Sequence, residues 1–144
     1  MKKILLLHGP NLNWLGKRDA KHYGTITLQD IEKLCQLEAK KNRFELIAYQ
    51  SNHEGDLIDK LQEVTQHCTA IIINAGALTH YSYAIHDALL DANLLTVEVH
   101  LSNILEREPW RRHSVISAAC DHVIQGKKEQ GYIEAIQYLS RQLT

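Results

Sequence analysis

The sequence predicts an α/β fold in which a parallel β-sheet is covered by helices on both faces. Short apolar segments alternate along the chain with longer segments whose apolar residues recur at helical spacing. No internal repeat, low-complexity segment or Pro- or Ser-rich linker interrupts this alternation. At 144 residues, 44% of them hydrophobic, the chain has the size and composition of one domain with its own core. We therefore expect residues 1–144 to form a single domain.

The first half of the chain predicts two strands, each followed by a helix. The apolar run at residues 2–7 is the first strand, and Phe44–Gln50 is the second. A helix is predicted over residues 27–41, where Thr27 suits the N-cap position. Its apolar face is predicted to contain Leu28, Ile31, Leu34 and Cys35. The inner face of the second helix is predicted to contain Leu57, Ile58, Leu61 and Val64.

The second half repeats the alternation. Ala70–Asn74 predicts a third strand, Tyr83–Ala92 a helix and Leu95–His100 a fourth strand. An irregular stretch follows over residues 103–117, and His122–Gln125 is the fifth strand. The last helix is marked by Tyr132, Ile133, Ile136 and Leu139. Five strand–helix units of this length, joined by right-handed crossovers, predict a flavodoxin-like arrangement.

Polar residues follow several of the predicted strands at their carboxyl ends. They are Asn11, Gln50, Ser51, Asn74, Glu98 and His100. In an open parallel sheet, ligands bind beyond the carboxyl ends of the strands, so we expect one site built from several loops at this edge.

The segment over residues 8–24 is too long for an ordinary strand-to-helix connection, for which about 2 to 6 residues suffice. It is rich in amides and cations and contains Tyr23. The phenol of a tyrosine has an ordinary pKa of about 10, so it acts as a base near neutral pH only where a cation stabilises the phenolate. Arg18 is the candidate cation. Alternatively, Tyr23 packs under the loop while Lys17 and Arg18 are solvated, and the residues alone favour neither reading.

Glu98 and His100 lie on the same face of the fourth strand, and Ser102 follows if the strand extends that far. A carboxylate beside an imidazole favours the protonated ring and orients it, so His100 is a candidate general acid. The alternative is a hydrogen-bonded histidine at the end of a strand. The pairing with a carboxylate at the ligand edge favours the functional interpretation.

Two other polar segments are candidates for binding a substrate. Asn74 begins a segment of small residues over 74–80, where it either binds a carboxylate or hydroxyl group or forms an Asx turn. Arg107, Arg111 and Arg112 form the one dense cationic patch near the fourth strand. Such patches are usually solvated, but a guanidinium folded over the sheet edge would hold substrate hydroxyl or carboxylate groups.

Composition excludes several other classes of protein. The formal net charge of −1 gives no reason to expect nucleic acid or an anionic membrane as a partner. Only four apolar residues separate the N-terminal lysines from His8, which is too few for a secretory or spanning segment, so we expect a cytoplasmic protein.

The cysteines and histidines predict neither disulfides nor a metal site. The three cysteines, Cys35, Cys68 and Cys120, include no C-x-x-C pair, so we expect them to be packing residues. His80, His86 and Asp87 have a poor spacing for a metal site, so none is expected.

Four segments together carry a resemblance to a known family. They are G-P-N-L-N-W-L-G-K-R-D-A-K-H-Y-G (9–24), N-A-G-A-L-T-H (74–80), E-V-H-L-S-N (98–103) and R-R-H-S (111–114). In order and spacing, nearly the whole chain resembles the type II 3-dehydroquinate dehydratases, which are flavodoxin-like enzymes of the shikimate and quinate pathways. The resemblance implies anti elimination of water from 3-dehydroquinate through an enolate, without a metal or organic cofactor.

The resemblance also implies a role for each matching residue. Tyr23 is the base that removes a proton next to the ketone, and Arg18 lowers its pKa. His100 protonates the departing hydroxyl, and Glu98 orients the surroundings of this pair. Asn11 helps to stabilise the enolate oxygen.

The remaining matches concern binding of the substrate. The resemblance implies that Asn74 and the backbone N–H groups of Leu101 and Ser102 hold the substrate carboxylate. It also implies that His80 and Arg111 contact the ring hydroxyls of the substrate.

The family's assembly is a dodecamer built from trimers, in which Asp87 reaches the site of a neighbouring subunit. Two positions depart from the common pattern of the family: His8 stands where Asn is frequent, and Ala20 stands where Pro is frequent. The first departure is expected to change little and the second to loosen the loop around Tyr23.

Two rival functions stay open on the residues alone. A flavodoxin-like module that binds FMN or accepts a phosphoryl group is one, although a phosphoacceptor would need an Asp where this chain has Asn74. A metal-dependent hydrolase using several of the nine histidines is the other. A lysine Schiff base, which the unrelated type I enzymes use, is disfavoured because no lysine is predicted at the ligand edge.

Overall fold

The computed structural model describes residues 1–144 and contains one five-stranded sheet of order β2-β1-β3-β4-β5. The strands are β1 (Lys2–His8), β2 (Phe44–Gln50), β3 (Ala70–Asn74), β4 (Leu95–His100) and β5 (His122–Gln125). All four strand pairings are parallel. This order is that of the flavodoxin-like fold, so the predicted fold class is confirmed.

Five α-helices connect or follow the strands. They are α1 (Ala20–Tyr23), α2 (Leu28–Lys41), α3 (Glu54–Val64), α4 (Tyr83–Ala92) and α5 (Gln130–Leu143). Short 3-10 helices occupy Leu12–Trp14, Gly76–His80, Ile104–Glu106, Pro109–Arg111 and Ser117–Ala119. None of the helices combines the length and the apolar character needed to cross a membrane.

The predicted N-cap of α2 is confirmed. The Thr27 hydroxyl accepts a hydrogen bond from the N–H of Asp30 at 3.2 Å, and the Asp30 carboxylate accepts one from the N–H of Thr27 at 3.3 Å. This reciprocal pair is a capping box, which satisfies two backbone donors that the first turn leaves without partners.

Helices cover both faces of the sheet and form two apolar clusters. One cluster packs α2 and α5 against the sheet, and the other packs α3 and α4 against the opposite face. The prediction of Leu34 as a core residue is wrong, because it lies beside the buried stripe of α2 and is 39% exposed. Ile58 and Ile133, predicted on inner helix faces, are half-buried at the edges of their stripes.

The loops after β1 and β3 interlock at the carboxyl edge of the sheet. The Gly9 N–H donates to the Asn74 carbonyl at 2.7 Å, and a Cβ on Gly9 would lie only 2.3 Å from the Ala75 oxygen. Gly76 has a φ of +60°, and a Cβ there would lie 2.8 Å from the Pro10 oxygen. Two glycines therefore allow these loops to touch, which holds the residues after both strands in one place.

The connection from β1 to α2 is partly helical rather than one continuous loop. It contains the 3-10 helix Leu12–Trp14 and the one-turn helix α1, and the side chains of Leu12 and Leu15 are buried in the core. Its outer part lies between two glycines with positive φ, Gly16 (95°) and Gly24 (75°). We call residues 16–24 the lid.

Candidate active site

One cavity lies at the carboxyl edge of the sheet, between the lid, the interlocked loops and the segment after β4. Most of the predicted site residues line it: Asn11, Arg18, Tyr23, Asn74, His80, His100, Leu101, Ser102 and Arg111. Glu98 lies beneath the cavity wall and Asp87 lies outside it. The structure therefore brings together side chains that are up to about 100 positions apart in sequence, as expected for ligand sites of open parallel sheets.

Tyr23 is the last residue of the one-turn helix α1 and is half-buried. The guanidinium carbon of Arg18 lies 3.7 Å from the centre of its ring, so the lid arginine stacks on the ring face. Burial lowers the pKa of Arg18, and the nearby Tyr23 opposes this shift. Arg18 is half-buried against the ring, while Tyr23 also packs against the core and Lys17 is exposed, so the structure has features of both interpretations from the sequence.

The cation at the phenol oxygen is Arg107, which sequence reasoning did not assign to the site. Its Nη1 donates to the Tyr23 hydroxyl oxygen at 2.8 Å and to the Ser102 hydroxyl oxygen at 3.3 Å. The Nε atom is buried without a hydrogen bond and lies 3.8 Å from a Glu108 carboxylate oxygen. The sequence signal was the cationic patch at residues 107–112, within which the residue facing the site was not distinguishable.

His100 ends β4 and is only 5% exposed, and the fully buried Glu98 lies beside it. The His100 Nε2 donates to one oxygen of this carboxylate, which also accepts from Thr79 at 2.8 Å and Ser114 at 2.9 Å. Ser117 donates to the other oxygen at 2.5 Å. Nδ1 of His100 makes no hydrogen bond within the chain, so this nitrogen is free for a ligand in the cavity.

Glu98 is a buried carboxylate that remains ionised. Burial raises its pKa, but the hydrogen bond and the charge of His100 and the hydroxyl groups of Ser117 and Thr79 outweigh burial, so that its pKa lies below the ordinary value of 4.5. A carboxylate saturated by four donors has little freedom to move. It therefore orients the His100 ring and sets which nitrogen faces the cavity.

Asn74 makes two internal hydrogen bonds and also lines the cavity. Its Oδ1 accepts from the Gly76 N–H at 3.1 Å, which is the Asx turn considered as the alternative to binding. Its Nδ2 donates to the hydroxyl oxygen of Tyr132 at 2.9 Å. Because an amide has two N–H donors, one donor remains for a ligand. Burial keeps Tyr132 neutral by raising its pKa far above the usual value.

His80 and Arg111 form the outer wall of the cavity. The His80 Nδ1 lies 2.8 Å from the carbonyl oxygen of His113, so this nitrogen carries the proton. Burial lowers the pKa of His80, which leaves Nε2 as an acceptor in the neutral ring. The Arg111 guanidinium stacks 4.0 Å from the Trp110 ring and donates to Glu108 at 2.9 Å.

Comparison with known proteins identifies the family of this chain. The family model described as "Dehydroquinase class II" matches residues 2–140. The chain is 50% identical over 141 residues to the 3-dehydroquinate dehydratase of Histophilus somni (strain 2336). The aligned residues cover 98% of this chain and 94% of that protein. The chain belongs to the class II dehydroquinase family.

Solved structures of this family have the same fold. The type II dehydroquinase of Butyrivibrio crossotus DSM 2876 superimposes with a TM-score of 0.93 at 44% identity, covering 96% of this chain and 97% of that one. The type II dehydroquinase of Propionibacterium acnes gives a TM-score of 0.94 at 35% identity, covering 98% and 97%. The fold is therefore that of the type II dehydroquinases over nearly its whole length.

Asp87 is the predicted site residue that lies away from the cavity of this chain. It lies on α4 and its side chain is 76% exposed. Its carboxylate lies 3.2 Å from the Nδ1 atom of His86. Its role in a neighbouring subunit stays a prediction.

Neither of the two residues that depart from the common family pattern lines the cavity. Ala20 is the first residue of α1, where Pro is favoured because its φ suits a helix start. Asp19 caps this helix instead by accepting from the Lys21 N–H at 3.0 Å. His8 is fully buried with its Nε2 3.3 Å from a Glu32 oxygen, but the geometry is not that of a hydrogen bond, and neither ring nitrogen has a partner.

Several alternative chemistries lack the residues they need in this cavity. No lysine lines it, so the structure provides no group for a Schiff base. No group of three or more His, Cys, Asp or Glu side chains is arranged to hold a metal ion anywhere in the chain. Cys35 and Cys68 are buried and Cys120 is half-buried, all three as free thiols, and burial raises the pKa of Cys35 to about 12.

Proposed function

We propose that this cavity dehydrates 3-dehydroquinate to 3-dehydroshikimate by acid–base chemistry of its own side chains. Membership of the class II dehydroquinase family makes the chain a 3-dehydroquinate dehydratase, a hydro-lyase whose general role is in the shikimate pathway. One observation supports the mechanism most strongly. The phenol of Tyr23, held by Arg107, and the imidazole of His100, held by Glu98, line the same cavity.

In the first step, the Tyr23 phenolate takes the proton from the carbon next to the ketone. The electrons of that C–H bond move onto the ketone oxygen and form an enolate. Arg107 at the hydroxyl oxygen and Arg18 on the ring face favour the phenolate by their positive charge. Asn11, at the mouth of the cavity, stabilises the enolate oxygen directly or through a water molecule.

In the second step, His100 gives a proton to the hydroxyl on the neighbouring carbon. The enolate electrons form the new carbon–carbon double bond, the carbon–oxygen bond breaks, and water leaves. Glu98 holds the ring in position for this transfer. The base on the lid and the acid on the sheet lie on different walls of the cavity, and this arrangement supports an anti elimination.

The cationic wall of the cavity suits an anionic substrate. We assign the substrate carboxylate to the free amide N–H of Asn74 and to the backbone N–H groups of Leu101 and Ser102. His80 and Arg111, on the outer wall, are assigned to the ring hydroxyls. A base, an acid and donors for the enolate are all that the reaction needs, so the mechanism requires no cofactor.

The exposed position of Asp87 supports an assembly in which a neighbouring subunit completes the site. We propose the dodecamer of trimers that the family resemblance implies, with Asp87 contacting the substrate in the next subunit. Light scattering on the purified protein is expected to give twelve times the mass of one chain. Asp87→Asn is expected to raise KM without changing that mass, and a monomer with full activity contradicts the proposal.

The test of function is direct. On addition of 3-dehydroquinate, ultraviolet absorption of the conjugated enone product is expected to rise without any added cofactor. Activity is expected to survive borohydride, which traps Schiff bases, and EDTA, which removes metals. A wild-type protein that leaves 3-dehydroquinate unchanged contradicts the proposed function. Loss of activity with borohydride in the presence of substrate contradicts the mechanism.

A further inference from the structure

We infer that Lys128 is a positioning residue that fastens the lid, an inference that rests on the proposed role of Tyr23 as the base. The Lys128 Nζ donates to the backbone carbonyl of Lys21 at 2.6 Å and lies 3.5 Å from that of Ala20. Both carbonyls belong to α1, the helix that ends at Tyr23. The ammonium group therefore contacts the element that carries the base rather than the base itself.

A one-turn helix needs such a contact. The first hydrogen-bonded turn of any helix is unfavourable to form, because few bonds offset the ordering of its residues. The last carbonyl groups of a helix have no partner within it, and here the one at Lys21 is satisfied by Lys128. A charged donor makes a stronger hydrogen bond than a neutral one. The position of α1 thus depends on a side chain from a distant part of the chain.

The backbone of Lys128 is fixed on the acid side of the cavity. Its N–H donates to the Leu101 carbonyl at 3.1 Å, and Leu101 directly follows His100. Its own carbonyl accepts from the Gly131 N–H at 3.2 Å, at the start of α5. One residue thus links the segment beside the acid to the helix that carries the base.

The conformation of Lys128 is also unusual. Its φ is +53°, in the left-handed region that is uncommon for residues other than glycine. Residues held in this region tend to lie at functional positions where the surroundings determine the conformation. A glycine here would adopt the same backbone more easily, so a lysine at this position carries a conformational cost.

The neighbouring lysine serves as a matched control. Lys127 has the same charge as Lys128 and lies in the same turn. Its Nζ, however, donates to Glu134 on α5 at 3.0 Å and makes no hydrogen bond to the lid. The two lysines therefore separate the effect of a bond to the lid from the effect of positive charge in this turn.

The experiment compares the steady-state kinetics of Lys128→Met, Lys128→Arg and Lys127→Met with wild type, using 3-dehydroquinate. In Lys128→Met, kcat is expected to fall by about tenfold to a hundredfold, as for a displaced catalytic group. KM is expected to change less than kcat, since Asn74, His80 and Arg111 lie outside the lid. Lys128→Arg is expected to recover most of the rate, and Lys127→Met is expected to match wild type.

A second readout does not depend on activity. Limited trypsin digestion, followed by mass spectrometry, is expected to cut after Lys17, Arg18 or Lys21 faster in Lys128→Met than in Lys127→Met, because a loosened segment enters the protease more often. Lys128→Gly relieves the positive φ, so its Tm is expected to equal or exceed that of wild type while kcat falls as in Lys128→Met.

The outcomes separate this inference from the proposed function. If the wild type does not convert 3-dehydroquinate, the proposed function fails, and the trypsin comparison still measures the bond to the lid. If Lys128→Met equals Lys127→Met in both kcat and lid cleavage, Lys128 does not fasten the lid. A normal kcat in Lys128→Gly likewise overturns the inference.

Discussion

The acid side and the base side of the cavity are built in different ways. His100 ends a strand that lies between two others, and beneath it the Glu98 carboxylate is held by three hydroxyl groups. Tyr23 ends a single helical turn between two glycines. Its ring packs against the core and contacts Arg107 and Arg18, and Lys128 contacts the turn that carries it.

Because of this difference, we expect substitutions on the acid side to lower both the reaction rate and the free energy of unfolding, and those on the base side to lower mainly the rate. A change on the acid side disturbs a buried, fully hydrogen-bonded network and costs folding free energy as well as activity. A change on the base side removes a contact of a half-buried side chain on a single helical turn, so it is expected to affect the rate of the reaction more than the free energy of unfolding. Binding elements drawn from the less stable parts of a fold are common, since they must open for substrate and product.

The largest expected effect is on the base side. Tyr23→Phe removes the phenol oxygen and keeps the ring under Arg18, so kcat is expected to fall by roughly 10²- to 10⁴-fold, the usual contribution of a general base. The free energy of unfolding is expected to fall by at most about 1 kcal/mol, because the half-buried ring stays in place and one hydrogen bond, from Arg107, is lost. Enone absorption measures the rate, and urea unfolding measures the stability.

Tyr49→Phe is the matched control for this prediction, because Tyr49 lies on the edge strand β2 and does not line the cavity. Tyr49→Phe is expected to leave both kcat and the free energy of unfolding unchanged. A Tyr23→Phe protein that keeps even a tenth of the wild-type rate would show that another group is the base.

The acid side is expected to respond differently to an equally conservative change. Glu98→Gln keeps the shape but removes the charge and places an N–H₂ group among hydroxyl donors. We expect about a hundredfold loss of rate from misorientation of His100, together with a loss of about 1–3 kcal/mol in unfolding free energy from the unsatisfied buried group. Kinetics and urea unfolding test the two parts.

Glu63→Gln provides the comparison, since Glu63 is an exposed residue of α3 that pairs only with Lys60. Unchanged stability in Glu98→Gln would remove the distinction between the two sides of the cavity.

Arg107 and Arg18 are expected to contribute unequally to the rate, because only Arg107 donates a hydrogen bond to the phenol oxygen of Tyr23. Arg107→Met loses a charge-assisted hydrogen bond of about 1.5–3 kcal/mol, so kcat is expected to fall by roughly 10- to 100-fold. Arg141→Met, on the end of α5, is the control.

Arg18→Met is expected to lower kcat less than Arg107→Met does, because the Arg18 cation lies against the ring face and only Arg107 donates to the phenol oxygen. A kcat of Arg107→Met equal to that of wild type would mean that the hydrogen bond seen at 2.8 Å has no role in the reaction.

The smallest expected effect is on stability at acid pH. The pKa of Glu98 is lower in the folded protein than its ordinary value of 4.5. Its contribution to stability is therefore present above pH 4.5 and is lost as the pH falls through the lower folded value. Tm measured from pH 7 to pH 3 is expected to fall more steeply below pH 4.5 in wild type than in Glu98→Gln. Parallel curves would contradict this assignment.

The positions of the strands were predictable from the sequence because buried parallel strands are continuous apolar runs between polar ends. The bounds predicted for β2, β3, β4, β5 and α4 are those of the structure. Leu34 was predicted wrongly because it lies close to the apolar stripe of α2, and sequence spacing alone does not show where a buried stripe ends.

The site was less predictable where long-range packing selects among similar residues. Glu98 and His100 could be paired because a strand places alternate residues on one face. Arg107 could not be separated from Arg111 and Arg112, because only the folding of the stretch after β4 decides which guanidinium reaches the phenol. The one-turn helix α1 has too few residues for a periodic pattern, and the position of Asp87 depends on an assembly that one chain does not contain.

The assignment of Tyr23 as the base and His100 as the acid is tested most directly by deuterium exchange. Each variant is incubated with 3-dehydroquinate in D₂O, and the recovered substrate is examined by mass spectrometry and proton NMR. His100→Asn is expected to make no enone but to incorporate deuterium next to the ketone, because the enolate still forms and returns. Tyr23→Phe is expected to do neither. Exchange that persists in Tyr23→Phe and disappears in His100→Asn would contradict the assignment of the base to the lid and the acid to the sheet.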